Sequence, residues 1–210
     1  MSKNWRNTTA IFLTVLLGCV LFYAGTDGFR AFTAESARTY KLLQDKPKFP
    51  DVTLEDSKGR VYPFSEFEGK YIMLTFIYTA CSDVCPKLEM NLAEVYNKVP
   101  KAWIGKDILF LSISFDPDRD DAATLEKYRK AFDSDGETWR MARIADKDEL
   151  DHLLKEFGVI VIPDGEGGFT HNSAFYLVDR KGYLAEVMDY TKIDEAANTV
   201  ITTLKNDTGE

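Results

Sequence analysis

The stretch "TFIYTACSDVCPKLEMNLAEVY", residues 75–96, decides the fold. It continues an apolar, β-rich run that begins at Lys70 ("KYIMLTFIYT", 70–79). A nearly continuous apolar run of this length reads as a strand buried on both faces. Immediately afterwards Val84, Leu88, Leu92, Val95 and Val99 recur at helical spacing, which predicts a helix from Asp83 to Val99. Cys81 and Cys85 fall on this strand-to-helix junction. With Asp83 as the N-cap, its side chain is expected to accept a free backbone N–H, and Pro86 lies in the first turn, where a missing N–H costs least. The partial positive charge of a helix N-terminus favours thiolate over thiol, so the position activates sulfur.

Working outward, "DVTLEDSKGRVYPFSEF" (51–67) reads as a hairpin turning at Ser57-Lys58-Gly59. "DILFLSISF" (107–115) is a second buried strand, and "DDAATLEKYRKAF" (120–132) an amphipathic helix. "DKDELDHLLKEFG" (146–158) is another helix, stopping at Gly158. "SAFYLVD" and "GYLAEVM" are strands around the Arg180-Lys181-Gly182 turn, and "DEAANTVITTLK" (194–205) closes the chain as a helix. Strands alternating with helices, followed by a hairpin, predict an α/β domain with a central mixed sheet and helices on both faces.

The amino-terminal segment Thr8–Gly25 carries no charge and is mostly apolar. As a helix it spans roughly 27 Å, close to the minimum for a bilayer. Lys3 and Arg6 precede it, and Asp27, Arg30 and Glu35 follow, so the positive-inside rule keeps residues 1–7 in the cytoplasm and exports the rest. We read residues 8–25 as an uncleaved transmembrane anchor, 26–46 as a juxtamembrane stalk, part helix, and 47–210 as the folded domain. A lipoprotein signal ending at Cys19 ("LLGC") and a cleaved signal peptide are the rival readings. The apolar run continues past Cys19, and Phe22 spoils the small-residue pattern before Ala24. Each reading exports the domain to an oxidising compartment.

The net charge of −8 is spread along the chain, with no basic stripe and interleaved aromatics, which argues against nucleic acid. Three cysteines are too few for a disulfide scaffold, and two histidines exclude a His-rich metal tract. A structural Cys81–Cys85 disulfide would close a loop too small to stabilise much. Two thiolates suit Cu(I) or zinc, or a redox centre. A metal needs a further donor, and His171, in "GEGGFTHNSAFYLVD" (165–179) just before a strand, is the candidate. A structural role for this histidine stays open on these grounds, and His152 reads as a solvated helix position.

Three pieces, in order, resemble the SCO/SenC family of thioredoxin-like copper chaperones of cytochrome c oxidase assembly. They are "FIYTACSDVCP" with its CxxxCP core, "LSISFDPDRDDAATLEKY", similar to the family's S-x-D-P-x-R-D-T segment, and "THNSAFYLVDRKG", similar to its D-H-[ST] segment. The resemblance covers about residues 47–205 and the single amino-terminal anchor. It implies a thioredoxin-like fold and copper, Cu(I) or Cu(II), held by Cys81, Cys85 and His171. Two positions depart from the pattern: Thr170 stands for the acidic residue before the histidine, and Asp121 for a threonine. Asp116, at a strand end, either faces the site or makes a turn.

The resemblance further implies a chaperone tethered to a bacterial inner membrane, its domain on the periplasmic side, delivering copper to the Cu(A) site of a terminal cytochrome oxidase. Its partners would be the copper-bearing oxidase subunit and other copper chaperones or thiol reductases. The alternative is a thiol–disulfide reductase acting through Cys81 and Cys85 that keeps the oxidase's metal-binding cysteines reduced. A peroxide-reducing relative is disfavoured, because "YTAC" lacks the T-x-x-C spacing. A zinc site finds no fourth ligand in the sequence.

Overall fold

The computed structural model describes residues 2–26, 28 and 33–209. The chain divides into two compact units, Met1–Asp45 and Lys46–Glu210. In the first, α1 (Ser2–Gly25) contains the apolar stretch Asn7–Gly25, long and apolar enough to cross a membrane, with every side chain from Asn7 to Gly25 exposed. Asp27 and Arg30, part of the charge flank expected after the anchor, lie outside the described residues. The expected stalk is helical over α2 (Ala34–Asp45), where the Thr33 hydroxyl accepts the Ser36 N–H at 3.0 Å as a cap.

In the second unit the chain runs through β1 (Thr53–Asp56), β2 (Val61–Pro63), a single 3-10 turn at Phe64–Phe67, β3 (Tyr71–Ile77) and α3 (Val84–Lys98). It continues through β4 (Ile108–Ser114), α4 (Ala122–Lys130), β5 (Trp139–Arg143) and α5 (Lys147–Glu156). The last elements are β6 (Val161–Pro163), β7 (Phe169–His171), β8 (Phe175–Val178), β9 (Leu184–Met188) and α6 (Ile193–Thr208). Seven strands form one sheet in the order β2-β1-β5-β4-β3-β8-β9, and β6 and β7 form a separate hairpin. β3, β4 and β5 are parallel, and the other pairings of the large sheet are antiparallel. The mixed sheet expected from the element order is therefore present.

β3 and β4 are buried at every residue, as nearly continuous apolar runs imply. Neighbouring residues on β3 turn to opposite faces: the Thr75 hydroxyl reaches Glu89 of α3, while the Phe76 ring packs 6.3 Å from Phe157 at the end of α5. Helices thus cover both faces. Two turns follow the expected chemistry, with Gly59 (φ 73°) in the first hairpin and Gly182 (φ 85°) in the last.

Within the large sheet, β5 is the strand that the sequence reading does not anticipate. Arg140 and Arg143 interrupt its apolar character, yet both charges are met at the sheet surface. Arg140 donates to Glu66 at 2.7 Å and lies over the Tyr62 ring, and Arg143 donates to Glu55 at 2.8 Å and to the Pro117 carbonyl. Trp139, Met141 and Ala142 of the same strand are buried.

Among the described residues two fully buried carboxyls, Glu89 and Asp120, have no cationic partner in an ion pair. Glu89, fully buried on α3, accepts hydrogen bonds from Thr75 and from Ser112, whose hydroxyl is also met by the Trp139 indole N–H at 3.2 Å. Burial outweighs these bonds and pushes its carboxyl up from 4.5 to about 7. A folded-state value above the unfolded one means that the native state holds the proton longer. Its contribution is complete below about pH 4.5 and is lost as pH rises through about 7. The difference in unfolding free energy between the wild type and Glu89→Gln is therefore expected to turn against the wild type by about 3 kcal/mol between acid and neutral pH. Urea unfolding of both proteins across that range measures it, and parallel pH profiles would show that Glu89 ionises as freely as in the unfolded chain.

Candidate metal centre

β3 delivers the chain to the carboxyl end of the parallel strands, the edge where open α/β sheets hold their ligands. Beyond Ile77 a short loop carries Tyr78 to Asp83, and α3 starts at Val84. Asp83 occupies the N-cap position, but its side chain makes no capping bond, contrary to the sequence expectation. The Cys85 N–H donates instead to the Cys81 sulfur at 3.3 Å. A thiol thus takes one of the donors that a helix start leaves unpaired.

This arrangement makes the two thiols unequal. Cys81 is partly exposed. Burial works against its ionisation, but the N–H groups of Cys85 and Asp83, with the Cys85 thiol and Tyr78 hydroxyl, together hold it below the ordinary thiol value. Cys85 is fully buried, and burial first, then the neighbouring Cys81 and Glu89, pushes its thiol well up. Cys81 is the sulfur that ionises first.

His171 ends β7, and its Nε2 stands 3.4 Å from the Cys85 sulfur. Its Nδ1 lies 3.1 Å from the Asn172 carbonyl oxygen and 3.4 Å from the Ser173 hydroxyl. A carbonyl only accepts, so Nδ1 carries the proton and the Nε2 lone pair faces the sulfur. Burial against Phe115 and Tyr78 lowers the imidazole's value, opposed in part by the Asn172 carbonyl, and favours the neutral, ligating form. Cys85 and His171, distant in sequence, are thus in contact. Among the described residues no three His, Cys, Asp or Glu side chains are drawn tightly enough to hold an ion as they stand. The Cys81 sulfur, which accepts the Cys85 N–H, is the further candidate donor beside this pair.

The two departures from the family pattern have plain structural consequences. Thr170 is exposed on β7 and makes none of the His171 hydrogen bonds, which come from the two following residues. Asp121 caps α4 by accepting the Thr124 N–H at 2.8 Å, a duty threonine also performs. Asp116 proves to be a turn residue: it accepts from Arg119 through both its carboxylate and its backbone oxygen. His152 is exposed, as expected, on the rim of a cavity of about 560 Å³ beside Phe49 and Ile72, at the opposite end of β3.

Sequence reasoning passed over Asp120 and Arg119, although both lie in the quoted "SFDPDRD" segment. Asp120 is fully buried and accepts the Thr79 N–H at 2.9 Å, the Thr79 hydroxyl and the Ser114 hydroxyl. Arg119 donates to the Gly167 carbonyl and lies over the Phe169 ring at 5.4 Å. The legible signal was a run of charges just after a fully buried strand.

The SCO1/SenC family model matches residues 42–206. The chain belongs to the SCO1/SenC family. It is 26% identical over 144 residues to the SCO1 protein homolog of Bacillus subtilis, covering 68% of this chain and 72% of that one. It is 28% identical over 126 residues to the mitochondrial SCO2 homolog of Mus musculus, 59% of this chain and 49% of that one, so it spans about half the length of that relative. The structure of Bradyrhizobium japonicum ScoI with copper bound superposes with a TM-score of 0.63 at 26% identity, over 74% of this chain and 98% of that chain. The SCO1/SenC match begins inside α2 and runs through most of α6, so it takes in the thiols, the histidine and the whole sheet.

Proposed function

We propose that this chain is a membrane-tethered copper carrier that delivers copper to the Cu(A) centre of a terminal cytochrome oxidase. The observation that carries the reading is the approach of His171 Nε2, at the end of β7, to the Cys85 sulfur, in the first turn of α3, at 3.4 Å. Two sulfurs and a neutral imidazole form a soft donor set suited to Cu(I), and the copper held by Bradyrhizobium japonicum ScoI supports the same cargo here. Cys81, partly exposed and inclined to ionise, is the first donor to meet incoming copper and the first that an acceptor cysteine would displace. Cys85 and His171, both deeper, keep the ion until ligand exchange is complete. The uncharged helix Asn7–Gly25 supports an anchor that holds the domain beside its acceptor, on the periplasmic face of a bacterial inner membrane.

A second reading, thiol–disulfide reductase, is favoured by the inequality of the thiols. Cys81 would attack a disulfide, and Cys85 would resolve the mixed intermediate. Iodoacetamide at neutral pH is expected to label Cys81 well before Cys85; equal rates would remove that asymmetry.

The deciding experiment is a Cu(I) titration of the reduced full chain, extracted with detergent from the membrane fraction. One tightly held copper per chain is expected. A chain recovered intact from the soluble fraction would defeat the anchor, and failure to bind Cu(I) would defeat the carrier.

A further inference from the structure

Neither ligand loop is held in place by its own hydrogen bonds alone. The thiol loop leaves β3 at Tyr78, and its next residue, Thr79, is fastened through both its N–H and its hydroxyl to the Asp120 carboxylate. Asp120 is fully buried and takes its third bond from Ser114 at the end of β4. The histidine arrives by another route. The β6–β7 hairpin is closed at its tip by Asp164, whose carboxylate accepts the N–H groups of Glu166 and Gly168 at 2.8 Å each. A Cβ on Gly168 would collide with that carboxylate, so the tip is tightly formed. Arg119 fastens this hairpin from outside. One end of its guanidinium donates to the Gly167 carbonyl, Nε donates to Asp116, and Cζ lies over the ring of Phe169, two residues before His171.

We propose that the Asp116–Asp120 turn is a clamp joining the two ligand loops, in which Asp120 positions the thiol loop and Arg119 positions His171. Adjacent residues of one turn reach opposite ways, so the separation of sulfur and imidazole is set by the stiffness of a segment that touches neither. Arg119 suits its place because a planar fork can hold a carboxylate and a carbonyl at once while lying flat on a ring, which lysine cannot do. Asp120 suits its place because a carboxylate accepts three bonds without offering a donor, and its charge strengthens each of them. This inference rests on the copper reading for its metal-binding consequences and is independent of it for the metal-free protein.

The test uses the full chain in detergent, as wild type, Arg119→Ala, Arg119→Lys and Asp120→Asn. Three properties are read: amide hydrogen exchange of the metal-free protein, the Cys81–Cys85 disulfide equilibrium with glutathione, and Cu(I) affinity. Arg119→Ala and Arg119→Lys are both expected to speed exchange in residues 164–171 and weaken Cu(I) binding by about tenfold, the scale for partners that orient a ligand. Both leave the disulfide equilibrium within about twofold, since the histidine takes no part in that bond. Asp120→Asn is expected to speed exchange in residues 78–83 and to shift the disulfide equilibrium several-fold as well. Unchanged exchange in residues 164–171 of both Arg119 variants overturns the clamp, as does a disulfide shift as large in Arg119→Ala as in Asp120→Asn. A wild type that binds no Cu(I) overturns the carrier reading, while exchange and the disulfide equilibrium still decide the clamp. If Asp120→Asn does not fold, the two Arg119 variants decide it.

Discussion

Cys85→Ser is expected to abolish tight Cu(I) binding while leaving the fold in place. The side chain is fully buried and in contact with His171, so the change removes the innermost donor and no exposed contact. A serine hydroxyl is hard and remains protonated at neutral pH, whereas Cu(I) selects soft thiolate. Tight structural metal sites bind with roughly 10–16 kcal/mol over three or four ligands, about 4 kcal/mol for each, which corresponds to a loss of roughly a thousandfold. The stability cost is about 1 kcal/mol for a buried hydroxyl of nearly the same shape. Competition with a chromophoric Cu(I) chelator measures the affinity, and thermal unfolding checks the fold. Cys81→Ser should lose less, because Cys81 is partly exposed and its sulfur is not in contact with His171 in the way that of Cys85 is. An affinity within tenfold of the wild type for Cys85→Ser would exclude Cys85 as a ligand.

The strand-to-helix junction was legible because both of its periods are strong. Seven consecutive buried residues on β3 and a five-position apolar stripe on α3 leave few other ways to fold the segment. The thiols could be located for the same reason. The capping detail was not legible: Asp83 has the right residue type and position, yet its backbone, at φ −126° and ψ −80°, turns the role over to a sulfur two residues earlier. β5 escaped because Arg140 and Arg143 look wrong for an interior strand, and only the fold shows that Glu66 and Glu55 receive them. The β6–β7 hairpin escaped because its strands are three residues long and its loop is rich in glycine. The partnership of Cys85 with His171 depends on contacts between segments far apart in sequence, which no local pattern encodes. It was reached through family resemblance, and the fold then brought the two groups together.

The inequality of the thiols bears on how one site can both keep and release a metal. A buried donor whose thiol resists ionisation gives up its proton only when a cation replaces it, so on the carrier reading Cys85 would bind copper at the cost of releasing a proton. Cys81 is already inclined to ionise and lies nearer solvent. On that reading loading and transfer would both begin at the sulfur that a partner can reach. The same order suits disulfide chemistry, so the thiols by themselves do not separate carrier from reductase.

His171 separates them. His171→Ala is expected to leave two sulfur donors, enough for Cu(I), which tolerates low coordination, so Cu(I) affinity should fall by roughly ten- to a hundredfold without vanishing. Cu(II) prefers a tetragonal set that includes nitrogen, and its binding should fall further. Burial holds the imidazole neutral, and the Asn172 carbonyl at Nδ1 aims Nε2 at Cys85, so its removal deletes a prepared donor and frees no charge. The Cys81–Cys85 disulfide should form as in the wild type, because both sulfurs and the helix start remain. The measurement pairs copper binding by the purified variant with oxidase activity in cells that carry it. Weakened binding together with lost oxidase activity supports copper delivery. Weakened binding with full oxidase activity would make thiol reduction the working duty of the site, and unchanged binding of both copper states would remove His171 from the ligand set.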